Sequence, residues 1–258
     1  MLNFKLLLGL VLLNGILVFP VAGSVILDFS NESDYVDNFT QVSSGGVIGW
    51  NPGGYVQASG GNVGVAAQYD GADSFFTETI SMTFQVGAAQ AGQAGLYARI
   101  RDDGGAVRAF AAIGRSGTAA NGSYINLNLN YGGAGYVLNS STGTNFYTTA
   151  EPVYLGRYLL DTDTIVLTLE QQAGTNPLFK LSLAINGTPI VTTGWQTLAN
   201  TGFNADGGVG MFFRPNTLDT IDVSSFAVIP EPQTSLLILA GLGALLLVGV
   251  RLKGKIEA

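Results

Sequence analysis

Phe179-Lys180-Leu181-Ser182-Leu183-Ala184-Ile185 runs into Asn186-Gly187 and then Thr188-Pro189-Ile190. In an extended chain successive side chains point to opposite sides. Phe179, Leu181, Leu183 and Ile185 therefore share one face, and Lys180, Ser182 and Ala184 the other. One apolar and one wet face marks a strand of an antiparallel sheet. Asn-Gly tolerates the positive φ of a tight hairpin, so the segment predicts two antiparallel strands joined by a two-residue turn.

The same period recurs on either side. Ile165, Leu167 and Leu169 oppose Val166, Thr168 and Glu170, after a short polar link at Asp161-Thr162-Asp163. Ile125, Leu127 and Leu129 oppose Asn126, Asn128 and Asn130. Strands are expected at 25–29, 47–50, 55–58, 63–69, 78–86, 96–101, 107–113, 124–131, 154–160, 164–170, 179–185, 189–193, 209–213 and 220–228. Clusters of Gly, Asn and Asp separate them. Residues 31–42 read as a loop or edge strand, and no long amphipathic helical pattern occurs in the body. So many short strands in one body imply two packed sheets, an all-β fold.

The body, residues 24–229, is long enough for one domain with a sizeable core. The whole chain carries −7; without Lys5, Arg251, Lys253 and Lys255 among its 11 bases, and Glu231 and Glu257 among its 18 acids, the body is about −9. Such a surface repels nucleic acid and anionic lipid. Cysteine and histidine are absent. That excludes disulfides, a Cys/His zinc site and a Ser-His-Asp triad.

Two segments flank the body. Residues 1–23 read as a secretory signal peptide, with Lys5 before the apolar stretch Leu6–Phe19 and small residues Val21-Ala22-Gly23 at its end. At the other end Pro230-Glu231-Pro232 precedes an apolar run, Leu236–Val250, and a basic end with Arg251, Lys253 and Lys255. Residues 234–250 reach the lower length limit of a spanning helix. The basic side chains snorkel to the far headgroups and place the C-terminus in the cytoplasm. The two prolines hold Glu231 on an extended segment outside the membrane.

This tripartite tail resembles the PEP-CTERM sorting signal of Gram-negative bacteria. The resemblance covers 230–258 and implies recognition by an exosortase-type membrane protease. It further implies export through the inner membrane, a single-pass intermediate, and delivery to the cell surface or extracellular space. The body resembles the concanavalin A-like (laminin G-like) jelly rolls, which are two-sheet antiparallel sandwiches. The matching pattern is Gly95-Leu96-Tyr97-Ala98-Arg99-Ile100, the hairpin 181–190, Gly208-Val209-Gly210-Met211-Phe212, and Ile221-Asp222-Val223-Ser224-Ser225-Phe226. The resemblance implies a final strand paired with the first. The E-x-D-x-x-E pattern of its laminarinase-type members is absent.

Saccharide binding wants an aromatic platform with polar neighbours. If Leu96 faces the core, Tyr97 and Arg99 lie on the exposed face, and Asn126, Asn128 and Asn130 form a second polar row. Both strands in one sheet would make a shallow saccharide groove, with Trp50 on a loop nearby. Each aromatic also reads as a packing residue, and the Asn row as a solvated face. Glycosidase chemistry needs two carboxylates at short range; Glu78, Glu151 and Glu170 have no acidic residue at i±2 or i±4. No cofactor is expected. Only oxygen ligands are on offer, so calcium is the ion the chain would take, at Asp70 with Asp73, Asp102 with Asp103, Asp161 with Asp163, or Asn204 with Asp206. None has a full ligand set, and each also suits an ordinary turn. Three functions stay open: a non-catalytic surface or matrix component binding a saccharide, a carbohydrate-active enzyme on the same fold, and a purely structural adhesin.

Overall fold

The structure, a computed structural model, describes residues 24–42, 46–59, 64–70, 78–87, 92–100, 106–132, 144–172, 178–198, 208–215 and 220–230. Residues 25–229 form one compact unit. The expected leader, Glu231 and Pro232, the helix at 234–250 and the basic residues Arg251, Lys253 and Lys255 lie outside the described residues, as do Asp73, Asp102, Asp103, Asn204 and Asp206. Among the described residues no helix is long and apolar enough to cross a membrane.

Two antiparallel sheets face each other across one core. Seven strands build the body of the first: β14 (Thr188–Thr192), β13 (Leu178–Ile185), β12 (Ile165–Gln172), β6 (Glu78–Val86), β17 (Ile221–Pro230), β4 (Tyr55–Ser59) and β3 (Val47–Asn51), in that spatial order. β15 (Gln196–Thr197) adds to β13, and β1 (Val25–Asp28) to β17, giving nine strands. The second sheet runs β10 (Thr144–Thr148), β9 (Ser123–Gly132), β8 (Ala106–Arg115), β7 (Gly92–Ile100), β16 (Gly208–Pro215), β5 (Val65–Tyr69) and β2 (Phe39–Gln41), with β11 (Val153–Tyr154) on β9, giving eight. This is the expected jelly-roll sandwich. The last strand pairs with the first, Val25 opposite Val228 and Leu27 opposite Phe226.

The alternating residues point as the sequence predicts. Ile125, Leu127, Leu129, Ile165, Leu167, Leu169, Phe179 and Leu181 are fully buried between the sheets. Asn186 and Gly187 both take positive φ, 50° and 76°, as a tight hairpin turn requires. Segment 31–42 departs from expectation: a single helical turn, α1 (Glu32–Val36), precedes β2. It delivers Tyr35 to an aromatic cluster in which Phe39 lies 5.3–5.7 Å from the rings of Phe29, Tyr35, Tyr69 and Phe226. That cluster ties the first strand to the last.

A polar pin holds the turn before β12. The Arg157 guanidinium grips Asp163 with both ends, Nη1–Oδ2 2.6 Å and Nη2–Oδ1 3.0 Å. The Leu160 N–H and the Asn186 side-chain amide also donate to this carboxylate. The Arg157 hydrogen bonds above all hold the Asp163 carboxyl down at about 2. A lowered carboxylate value stabilises the fold above the ordinary range near 4, and that stabilisation is lost as pH falls through about 2. Because Arg157 is 47% exposed, Asp163→Asn should cost only about 1–2 kcal/mol at pH 7. In urea titrations the gap to wild type should close between pH 4 and pH 2; an undiminished gap at pH 2 would refute the charge-based account.

Candidate functional site

The outer face of the eight-stranded sheet carries three residue rows in register. The first crosses seven strands: Thr40, Gln68, Gly210, Tyr97, Arg108, Asn130 and Asn145. The second holds Ala66, Phe212, Gly95, Phe110, Asn128 and Thr148. The third holds Arg214, Gln93, Ala112 and Asn126. Neighbours in a row are about 4.8 Å apart, the strand spacing.

Two glycines shape this face. A Cβ at Gly210 would run into the Ala67 carbonyl oxygen and the Tyr97 hydroxyl, so the Tyr97 ring lies across the glycine. A Cβ at Gly95 would meet the Phe110 Cβ at 2.6 Å. The Arg108 guanidinium sits 4.7 Å from the Phe110 ring centre and 4.3 Å from that of Phe212, within cation–π range. The centre is closed to solvent: Tyr97 and Phe212 are 0% exposed and Arg108 2%. Toward β10 the face opens, with Asn145 and Thr148 exposed and Asn126 and Thr149 half-buried.

Tyr97, Asn126, Asn128 and Asn130 thus share one face, as the alternation predicts, with β8 between their two strands. Tyr97 is not the expected exposed platform, because its ring fills the space over Gly210 and packs with Ala66, Phe212 and Val42. Arg99 lies on β7, and its side chain is outside the described residues. Trp50 belongs to the other sheet: it packs against the core, and its indole N–H donates to the Phe29 carbonyl at 2.8 Å. It is a packing residue.

Unread in the sequence were Arg108, Phe110, Gln93, Phe212, Arg214 and Gln68. Val107-Arg108-Ala109-Phe110-Ala111 does hold a signal, since a cation and an aromatic ring alternate there with three small apolar residues.

Three oxygens on this face are buried without a hydrogen-bond partner among the described residues: Tyr97 Oη, Gln93 Oε1 and Asn130 Oδ1. Asn130 spends its amide nitrogen on Asn145 Oδ1 at 2.9 Å, and Thr149 Oγ1 donates to Asn126 Oδ1 at 3.3 Å. Burial above all, then the charges of Asp70 and Tyr35, pushes the Tyr97 phenol well above its ordinary value. It is therefore a neutral donor, not a base, at neutral pH.

None of the eight strands contains Asp or Glu. Asp70, just past β5, accepts from Thr40 Oγ1 at 2.8 Å and is the acid at the rim. The nearest approach to the laminarinase-type spacing is Glu32-Ser33-Asp34-Tyr35-Val36-Asp37, with Asp in the last place. It forms the turn of α1, where Asp34 accepts the Asp28 N–H, so its carboxylates do not line a strand. Asp163, named above for calcium with Asp161, is taken by Arg157. Among the described residues no three acids cluster.

No family model and no curated protein matches the chain. Solved structures do, at low identity. The Emp46p carbohydrate recognition domain in its potassium-bound form is 12% identical (79% of this chain, 93% of that one, TM-score 0.45). A legume lectin-like domain from Entamoeba histolytica is 9% identical (78% and 94%, TM-score 0.48). A double mutant of alginate lyase Aly36B with an alginate tetrasaccharide is 11% identical (80% and 96%, TM-score 0.50). The likeness is one of fold, a concanavalin A-like jelly roll, and fold alone does not fix function.

Tyr97→Phe removes a buried hydroxyl that has no partner among the described residues. Stability should stay level or rise by up to about 1 kcal/mol in chemical denaturation. A loss larger than that would mean the hydroxyl is hydrogen-bonded in the folded molecule.

Proposed function

We propose that the chain is an exported surface or extracellular-matrix protein whose sandwich binds a saccharide, without cleaving it, on the outer face of the eight-stranded sheet. The observation that carries this is the set of three buried, unpartnered oxygens on one face. An unpaired buried polar group costs about 1–3 kcal/mol. Sugar hydroxyls both donate and accept, so a saccharide seated at the open β10 side would satisfy Asn130 Oδ1, and it would reach Tyr97 and Gln93 once the closed centre opens. Amide side chains dominate the entrance, a surface suited to hydroxyl recognition. The fold's use in carbohydrate recognition supports the same class of ligand.

The non-catalytic reading rests on the missing acid pair. Hydrolysis of a glycosidic bond takes two carboxylates, and the sheet's own strands supply none. Export rests on the sequence: the leader at 1–23 and the tail from Pro230-Glu231-Pro232 to Lys255. Glu231, between prolines, would be the handle for an exosortase-type protease.

On a glycan array the full-length chain should bind a subset of saccharides. Asn130→Ala should weaken that binding at least tenfold, a loss of about 1.4 kcal/mol, and bound glycans should show no new chain ends. Silence across the array, or release of shorter products, would overturn the proposal. Separately, replacing Pro230-Glu231-Pro232 by three alanines should leave the chain unprocessed in the inner membrane. Unchanged delivery to the surface would contradict the sorting claim.

A further inference from the structure

A groove of about 350 Å3 lies on the outer face of the other, nine-stranded sheet. Thr168, Ser182 and Thr192 stand abreast in it, on β12, β13 and β14. One step along, Val166, Ala184 and Pro189 make an apolar strip. One step the other way Glu170 and Lys180 pair at 2.6 Å. Lys180 Nζ lies 5.5 Å from the ring centre of Trp195, which is 40% exposed.

We propose that this groove is a second ligand site, independent of the face described above, and that it takes an uncharged sugar of one or two residues. The charge pattern selects the ligand. Glu170 and Lys180 neutralise each other and no groove-lining residue is ionised, so a charged ligand would find no counterion. The remaining chemistry matches a pyranose, which has an apolar C–H face and a rim of hydroxyls. The strip Val166–Ala184–Pro189 meets the first, and three hydroxyls spaced at the strand interval of about 4.8 Å meet the second. Trp195, beside Lys180 and one step from the hydroxyl row, is a rigid, amphipathic stacking surface next to the groove. The volume sits at the small end of ligand pockets.

A protein partner fits less well. A stable interface buries about 800 Å2 on each side, whereas one exposed tryptophan and a few half-buried aliphatics offer far less. Strand addition at β14 meets Pro189, which has no N–H to donate.

The chain has two tryptophans, and Trp50 is packed against the core. Labelling with 5-fluorotryptophan therefore gives two 19F resonances, assigned by Trp195→Phe. The full-length chain, held in a zwitterionic, sugar-free detergent, is titrated with neutral gluco-, manno- and galacto-hexaoses. The Trp195 resonance should shift saturably with at least one of them, while that of Trp50 stays put. Ser182→Val, which keeps the fold's bulk and removes a hydroxyl, should weaken binding at least tenfold. Asn130→Ala, on the other sheet, should leave the titration unchanged, so failure here is separate from failure of the first site. No shift with any hexaose overturns the proposal, as does a Trp195 shift that follows protein concentration alone, which would mark a contact between copies.

Discussion

Each strand shows alternate side chains to two sides, and a two-sheet sandwich can use only one side of each sheet for its shared core. What happens on the second side is therefore the choice left to this chain. The nine-stranded sheet spends it on Thr168, Ser182, Thr192 and the Glu170–Lys180 pair, all reached by solvent. The eight-stranded sheet does the opposite at its centre, where Tyr97, Phe212 and Arg108 are shut away although they point from the core. Gly210 and Gly95 permit this, since the Tyr97 and Phe110 side chains fold into the space their missing Cβ atoms leave.

That unusual second layer explains why the face is a candidate site. A buried side of a sheet made only for stability would be apolar, because unpaired polar atoms there are costly. Here a guanidinium lies against two rings and three oxygens lack partners among the described residues. That incomplete satisfaction is what the saccharide proposal rests on.

Much of the architecture was legible in local pattern. The alternations at 125–130, 165–170 and 179–185 and the Asn186-Gly187 turn follow from period and turn chemistry, while the pairing of Val25–Asp28 with the last strand followed only from the resemblance to the jelly rolls. The misses have physical causes. In Thr144–Thr148 the pairing slips between Asn145 and Tyr147, so the two-residue period breaks and the strand goes unread. The stretch 154–160 looks extended, but the antiparallel ladder to β9 stops at Tyr154, Gly156 at φ 67° turns the chain, and Arg157 then forms an isolated parallel bridge to Gly122. The helical turn at 32–36 is shorter than two helical periods. Tyr97 was placed on the correct side yet read as exposed, because its cover depends on Gly210, 113 residues later in the chain. No local window contains that contact.

The account stands or falls on what meets the three unpartnered oxygens. A crystal structure of the full-length chain with its array-selected saccharide tests this directly. Sugar hydroxyls should lie within hydrogen-bond distance of Asn130 Oδ1 and at least one of Tyr97 Oη and Gln93 Oε1. A saccharide bound elsewhere, with all three oxygens satisfied by ordered water or by the protein itself, would contradict it.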